Sequence, residues 1–299
     1  VAASQIATSI AGAAIVPAVT GITLGMVRQK GFNRQNGRNQ AFNHAGNMVG
    51  AAVSGYLGWR YGYVAVFLLA ALFGAVSIAC VLMIPAKAID HRAARGKEDD
   101  PESQPSGFTV LLKHKPLLIL AFALAAFHLG NAAIVPLYSL ATVAGDQANG
   151  PGFVATIIVV AQAVMIIMSI VGMRAAERRN YWPVLLASFL ALPLRGLLAF
   201  FLTGWWGVFP IQILDGVGAG LQSVAVPGMV ARSLNGTGRV NLGQGAVITI
   251  QGIGASLSPA LGGWVAQWIG YEPAFLLLGS FGLISVALWV ACASIVKKY

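Results

Sequence analysis

The sequence predicts an all-α membrane protein, a polytopic helical bundle of about nine transmembrane helices. Three observations predict it. Only 9% of the 299 residues are charged while 57% are hydrophobic, and a soluble domain carries about 25% charged residues. The apolar residues gather in long runs, each able to cross about 30 Å of hydrocarbon at about 1.5 Å per helical residue. The basic residues gather between alternate runs. Barrel strands of about ten alternating residues are absent, which leaves helices as the way to satisfy a backbone in lipid.

The runs follow one another as 3–26, 40–58, 62–85, 116–142, 151–173, 181–203, 206–231, 242–268 and 272–295. The first carries Gly12 and Pro17, and Asn39, Asn43 and Asn47 lie at the start of the second. The third follows an aromatic turn at Trp59 and Tyr61. Between the third and fourth lies the one long polar stretch, 86–115, which contains His91-Arg-Ala-Ala-Arg-Gly-Lys-Glu-Asp-Asp100 and several Pro and Ser residues. That composition reads as a solvated linker. Trp205 and Trp206 mark the turn between the sixth and seventh runs, where interfacial aromatics belong.

A net charge of +10 suggests nucleic-acid binding in a soluble protein. Here its placement is topological. Arg28, Lys30, Arg34 and Arg38 follow the first run, and Lys87, Arg92, Arg95, Lys97, Lys113 and Lys115 follow the third. Arg174, Arg178 and Arg179 follow the fifth, Arg232 and Arg239 the seventh, and Lys297 and Lys298 end the chain. The opposite connections hold Arg60 alone. The positive-inside rule therefore places the linker and the C terminus in the cytoplasm, of a bacterial inner membrane. The partners expected are the lipid bilayer and a small molecule, with no nucleic acid. The two cysteines, Cys80 and Cys292, lie inside apolar runs and read as packing residues rather than a metal or disulfide set. No metal or cofactor is expected.

The stretch 46–79 recurs 208 positions later as 254–287 without a gap. Gly46, Ala52, Gly55, Gly62, Tyr63, Phe67, Phe73 and Gly74 return as Gly254, Ala260, Gly263, Gly270, Tyr271, Phe275, Phe281 and Gly282, with four further matches. Spaced duplication of membrane helices marks transporters built from internal repeats. The second and third runs thus match the eighth and ninth, and Gly12 and Pro17 of the first match Gly216 and Pro227 of the seventh. The domains follow as 1–85, a partial N-terminal half of three helices, 86–115, the linker, and 116–299, a six-helix C-terminal half.

This arrangement resembles the major facilitator superfamily, whose fold has twelve helices in two halves. The chain is then helices four to twelve, and its start at Val1 reads as a truncation. Antiporter branches carry a G-x-x-x-G-P-x-x-G-G pattern in the fifth helix. Gly46-Asn-Met-Val-Gly50-Ala-Ala-Val-Ser-Gly55 is similar, with Ala51 in place of the proline. Gly254-Ala-Ser-Leu-Ser-Pro259-Ala-Leu-Gly262-Gly263 repeats it. The arginine that the resemblance associates with proton coupling falls at Thr8, a departure. Residues 172–179 are similar to the family's basic loop motif, one residue out of register.

Ionisable groups inside a membrane are functional candidates by default, because a charge at the centre costs at least about 2.5–3.5 kcal/mol. Arg195 and Asp215 stand at similar depths on either side of the turn near Gly204. They are expected to pair, either as a coupling element or as a structural link. Gln212, Asp215 and Gln222 share a helix face, as do Gln244 and Gln251. His128 and Asn131 lie three residues apart, and Asn43 and Asn47 stand nearer the cytoplasmic mouth. These polar stripes suit a water-filled path, and the resemblance puts the fourth and seventh runs on its wall. Either His128 or Asp215 could carry a coupling proton. The function expected is secondary transport of a small molecule by alternating access, as proton-coupled efflux, and not enzymatic catalysis. A facilitator or importer of the same fold, and an inactive fragment, are the alternatives. An intramembrane enzyme or a channel is the different class, and no Walker A loop, G-x-S-x-G or H-E-x-x-H supports the enzyme.

Overall fold

The computed structural model describes residues 2–97, 113–144, 150–178 and 180–299. The side chain of Thr8, Arg179 and linker residues 98–112 lie outside the described residues. Helix α1 spans Ala2–Tyr61 but folds back at Arg28, whose φ of 55° and ψ of −177° break the helix into two arms. Helix α2 is Tyr63–Leu82, α3 is Lys115–Asn131, α4 is Ile134–Ala144 and α5 is Gly150–Arg178. Helix α6 is Tyr181–Phe201, α7 is Val208–Ser233, α8 is Val240–Ile269 and α9 is Tyr271–Ala291. The short α10, Ala293–Val296, ends the chain. Among the described residues, seven helices or helix pairs are long and apolar enough to cross a membrane. The second arm of α1 is not among them, because Arg34, Arg38, Arg60 and the amides between 35 and 47 lower its hydropathy.

Three local expectations shift. The basic segment after the first run is helical rather than a loop, so the second arm of α1 starts straight after Arg28 and carries Arg34 and Arg38 on its surface. The fourth run is two helices rather than one. Pro136 has no N–H for the Ala132 carbonyl and its ring crowds that carbonyl, so the helix breaks a turn before it. The freed N–H of Ala133 donates instead to Ser258 Oγ on α8 at 3.0 Å. Finally, residues 86–97 form a folded strap rather than a free linker. Ala93 is fully buried. The Asp90 N–H donates to Gly25 O at 3.0 Å and the Gly236 N–H to Gly96 O at 2.6 Å, so the strap touches both halves.

The repeat is visible in the turns. Gly62 and Gly270, its counterpart, take φ values of 78° and 111°, a region that glycine enters without a Cβ penalty. The helices that lead into the two turns are not packed alike. In the first copy nothing lies within 4 Å of a Cβ built on Gly46 or Gly55, and Gly50 has only a Phe73 ring carbon at 3.8 Å. In the second, a Cβ on Gly254 would strike the Ala125 carbonyl of α3, and one on Gly262 would meet Leu137 at 2.8 Å, while Gly263 is open. Pro259 sits inside α8 between them. Cys80 is exposed on the apolar surface of α2 and is not a core residue.

The chain reversals at 178–181 and 233–240 and the C terminus gather at one end of the bundle, called here the linker end. There Asn180 Nδ2 donates to Lys297 O at 2.7 Å and Arg232 Nη1 to Tyr299 O at 3.2 Å.

Candidate functional site: a polar core between α3, α6 and α7

Two groups of polar residues lie between α3, α6 and α7. In the first, Arg195 Nη1 of α6 lies 2.7 Å from Asp215 Oδ1 of α7. Asn131, the last residue of α3, bridges them. Its Oδ1 accepts from Arg195 Nη1 at 2.5 Å and its Nδ2 donates to Asp215 Oδ1 at 3.3 Å. The helix break at Ala132 puts Asn131 at a helix end, where its side chain can reach both partners. Arg195 is 1% exposed and Asp215 14%, so the carboxylate is the end of the group that meets the outside. Nε and Nη2 of Arg195 find no acceptor. Behind Arg195 the backbones of α6 and α9 touch. A Cβ on Gly196 would stand 2.6 Å from the Cα of Gly279, so only glycine allows this approach.

The second group runs along the same faces toward the linker end. His128 Nε2 on α3 meets Gln222 Oε1 on α7 at 3.2 Å. The Gln222 oxygen can only accept, so Nε2 of His128 carries the proton. Gln222 Nε2 donates to Ser188 Oγ of α6 at 2.8 Å, and Ser188 donates in turn to Gly218 O at 3.1 Å. Each member is satisfied within the chain.

Five of the residues singled out from sequence are therefore brought together: His128, Asn131, Arg195, Asp215 and Gln222. Others stand apart. Gln212 is 1% exposed and neither of its side-chain polar atoms has a hydrogen bond. Gln244 Nε2 donates to the Pro227 carbonyl at 2.9 Å, which joins α8 to α7. Gln251 is half-buried on α8 and takes no part in these bonds, and Asn43 and Asn47 are exposed on α1.

Sequence reasoning missed the polar contacts that tie the first half to the second. His44 is buried on α1, with Nδ1 2.9 Å from Gln162 Oε1 on α5 and Nε2 3.5 Å from Ser223 Oγ on α7. Asn36 Nδ2 donates to Val224 O at 3.4 Å, and the Tyr181 hydroxyl donates to Asn33. A Cβ on Gly37 would lie 2.6 Å from Met173 Cβ, so α1 and α5 press together here. These contacts sit in the part of α1 nearest the linker end, while Tyr56 and Trp59 at its other end are exposed. Residues 33–44 of α1 are thus packed against α5, α6 and α7.

A sequence profile described as the Major Facilitator Superfamily matches residues 1–194 and 120–296. Two proteins of Mycobacterium tuberculosis, from strains CDC 1551 / Oshkosh and ATCC 25618 / H37Rv, are each 38% identical over 279 residues. Both bear the name uncharacterized MFS-type transporter, and the match covers 92% of this chain and 67% of each of them. The crystal structure of the Escherichia coli fucose:proton symporter FucP is similar with a TM-score of 0.53 at 12% identity, over 91% of this chain and 87% of that one. At that identity the likeness is one of fold.

Proposed function

Because the chain belongs to the major facilitator superfamily, we propose that it is a secondary transporter that moves a small molecule by alternating access, with Asp215, Arg195 and Asn131 at the polar centre of its path. The observation that carries this reading is a buried arginine whose carboxylate partner keeps 14% of its side-chain surface exposed. A group meant only to join helices gains nothing from that opening. In lipid, such a pair is costly and is retained where its charge state matters.

The chemistry follows from the contacts. With Asp215 ionised, the pair is neutral and locked through Asn131. A proton on Asp215 removes the attraction and leaves Arg195 held by the Asn131 carbonyl oxygen alone. The pair therefore has two states, and any substrate that binds one better biases the rocking of the halves. His128, one helical turn from Asn131, is the second group that can exchange a proton in this path. Exchange of a proton for an organic compound on its way out of the cell is the specific form proposed, in a bacterial inner membrane with the linker end in the cytoplasm. Gln222, Gln244, Gln251, Gln212, Asn43 and Asn47 supply the remaining amides along or near the path.

Reconstituted protein tests this. Concentrative flux that collapses with an uncoupler and disappears in Asp215→Asn is expected. Flux that runs only down the substrate gradient and ignores the uncoupler assigns a facilitator instead. Sealed vesicles with folded protein and no flux of any compound would overturn the transport reading for this chain.

A further inference from the structure

Near the linker end, where α1 meets α5, three arginines converge on one groove. Arg34 and Arg38 lie four residues apart on α1, and Arg174 faces them from α5, with Glu177 at the edge. All four are exposed. Among the described residues, the ion pairs within 4.0 Å are Arg28–Asp90 and Arg195–Asp215, so none of these three arginines has a carboxylate partner. The lining carries a net charge of about +2 by residue type. The groove does not end at the arginines. Through Arg38, Ile170 and Met173 it continues into an apolar furrow of about 290 Å³ floored by Ala41, Phe42, Ala45 and Ile166. Phe42 is 79% exposed along it.

We propose that this groove binds an anionic phospholipid of the leaflet at the linker end, its phosphate held by Arg34, Arg38 and Arg174 and one acyl chain lying in the furrow. Arginine offers paired donors matched to phosphate oxygens, and basic pockets between membrane helices at the cytoplasmic side take anionic headgroups. A free phosphate has no use for an apolar furrow, and a zwitterionic lipid leaves the excess positive charge unmatched. The furrow thus selects a lipid and the arginines select its charge.

The site has a consequence for conformation. Arg34 and Arg38 belong to the first half and Arg174 to the second, and they converge because Gly37 lets α1 and α5 approach at Met173. Parting the halves at the linker end would separate the arginines. An anionic lipid bound here therefore favours the state closed at that end.

Native mass spectrometry of the purified full chain, released from detergent with phosphatidylglycerol or phosphatidylcholine, tests the proposal without any transport. Retention of phosphatidylglycerol over phosphatidylcholine is expected, with affinity falling about fivefold for each of Arg34→Gln, Arg38→Gln and Arg174→Gln, as an arginine near an anionic surface contributes. Arg60→Gln, at the other end, is the control and should bind as the unchanged protein does. Ala45→Trp fills the furrow, keeps the arginines and should also weaken retention. Equal retention of the two lipids, or glutamine variants that hold phosphatidylglycerol undiminished, would overturn the proposal. So would inorganic phosphate that displaces the lipid and binds Ala45→Trp as well as the unchanged chain, since the occupant would then be a soluble anion.

Discussion

Arg195 and Asp215 meet at 2.7 Å across two adjacent helices, and burial is uneven between them, 1% against 14%. The other ion pair among the described residues, Arg28–Asp90, lies at the linker end. Asn131 accepts from Arg195 with its amide oxygen and donates to Asp215 with its amide nitrogen, and so holds the geometry without holding the charge.

Replacing Asp215 by Asn strands a buried guanidinium. Removal of one member of a buried pair costs about 3–5 kcal/mol, and the thermal midpoint in detergent is expected to fall accordingly. Arg195→Leu combined with Asp215→Leu removes both charges and is expected to recover most of that stability. Transport should be lost in both. A double variant that carries substrate at the normal rate would assign the pair to structure alone.

The two copies of the repeat respond differently to the same change. Gly254→Ala drives a methyl group into the Ala125 carbonyl of α3, whereas Gly46→Ala meets nothing within 4 Å. Overpacking costs about 1–3 kcal/mol, so Gly254→Ala is expected to lower the thermal midpoint. Gly46→Ala should leave it unchanged or raise it slightly, because alanine favours a helix over glycine by about 1 kcal/mol. Equal effects at the two positions would mean that the second arm of α1 is packed as α8 is.

What the sequence made legible follows the same division. Arg195 and Asp215 could be paired because they stand similar distances either side of the Gly204 turn, and adjacent antiparallel helices bring such positions together. The recurrence of Gly62 at Gly270 marked both turns for the same reason, since position along a helix is readable. Asn131 was a candidate, but its bridging role needed the break at Ala132, for which Pro136 was the overlooked signal. His44, Gln162 and Ser223 were not legible as a set. They lie on three helices from two halves, and periodicity within a segment says nothing about which faces meet. The strap was misread because its charge suggested solvation, while the two buried alanines within it gave too short an apolar signal.

His44 holds α1 to α5 and α7 near the linker end, with bonds of 2.9 Å to Gln162 and 3.5 Å to Ser223. An interhelical hydrogen bond in a membrane protein contributes about 0.6 kcal/mol. Losing two in His44→Leu shifts the balance between closed and open states by up to about sevenfold, at about 1.4 kcal/mol per tenfold. Val224, fully buried behind Asn36, provides the reporter. In a background without Cys80 and Cys292, a Val224→Cys thiol should alkylate faster by that factor when His44 is replaced. An unchanged rate would show that the contact does not restrain opening.

The strap is expected to be sensitive to acid at Asp90. Its carboxylate accepts the N–H of Ala93 at 3.2 Å and of Arg92 at 2.9 Å, and Arg28 lies 3.3 Å away. The Ala93 N–H first, then that of Arg92, hold the Asp90 carboxyl below the usual carboxylate range. A group whose pKa is lower folded than unfolded stabilises the fold above its unfolded pKa, about 3.9 for Asp. That contribution is lost as pH falls through the lower, folded value. Amide exchange at Arg92 and Ala93, corrected for its intrinsic pH dependence, should therefore quicken below about pH 4, where the carboxyl takes up its proton. Because the Asp90 side chain keeps 39% of its surface exposed, the change should stay local to the strap and leave the helices protected. Asp90→Asn keeps an acceptor oxygen but no charge, so it should abolish the pH step. Persistence of the step in that variant would place the titrating group elsewhere.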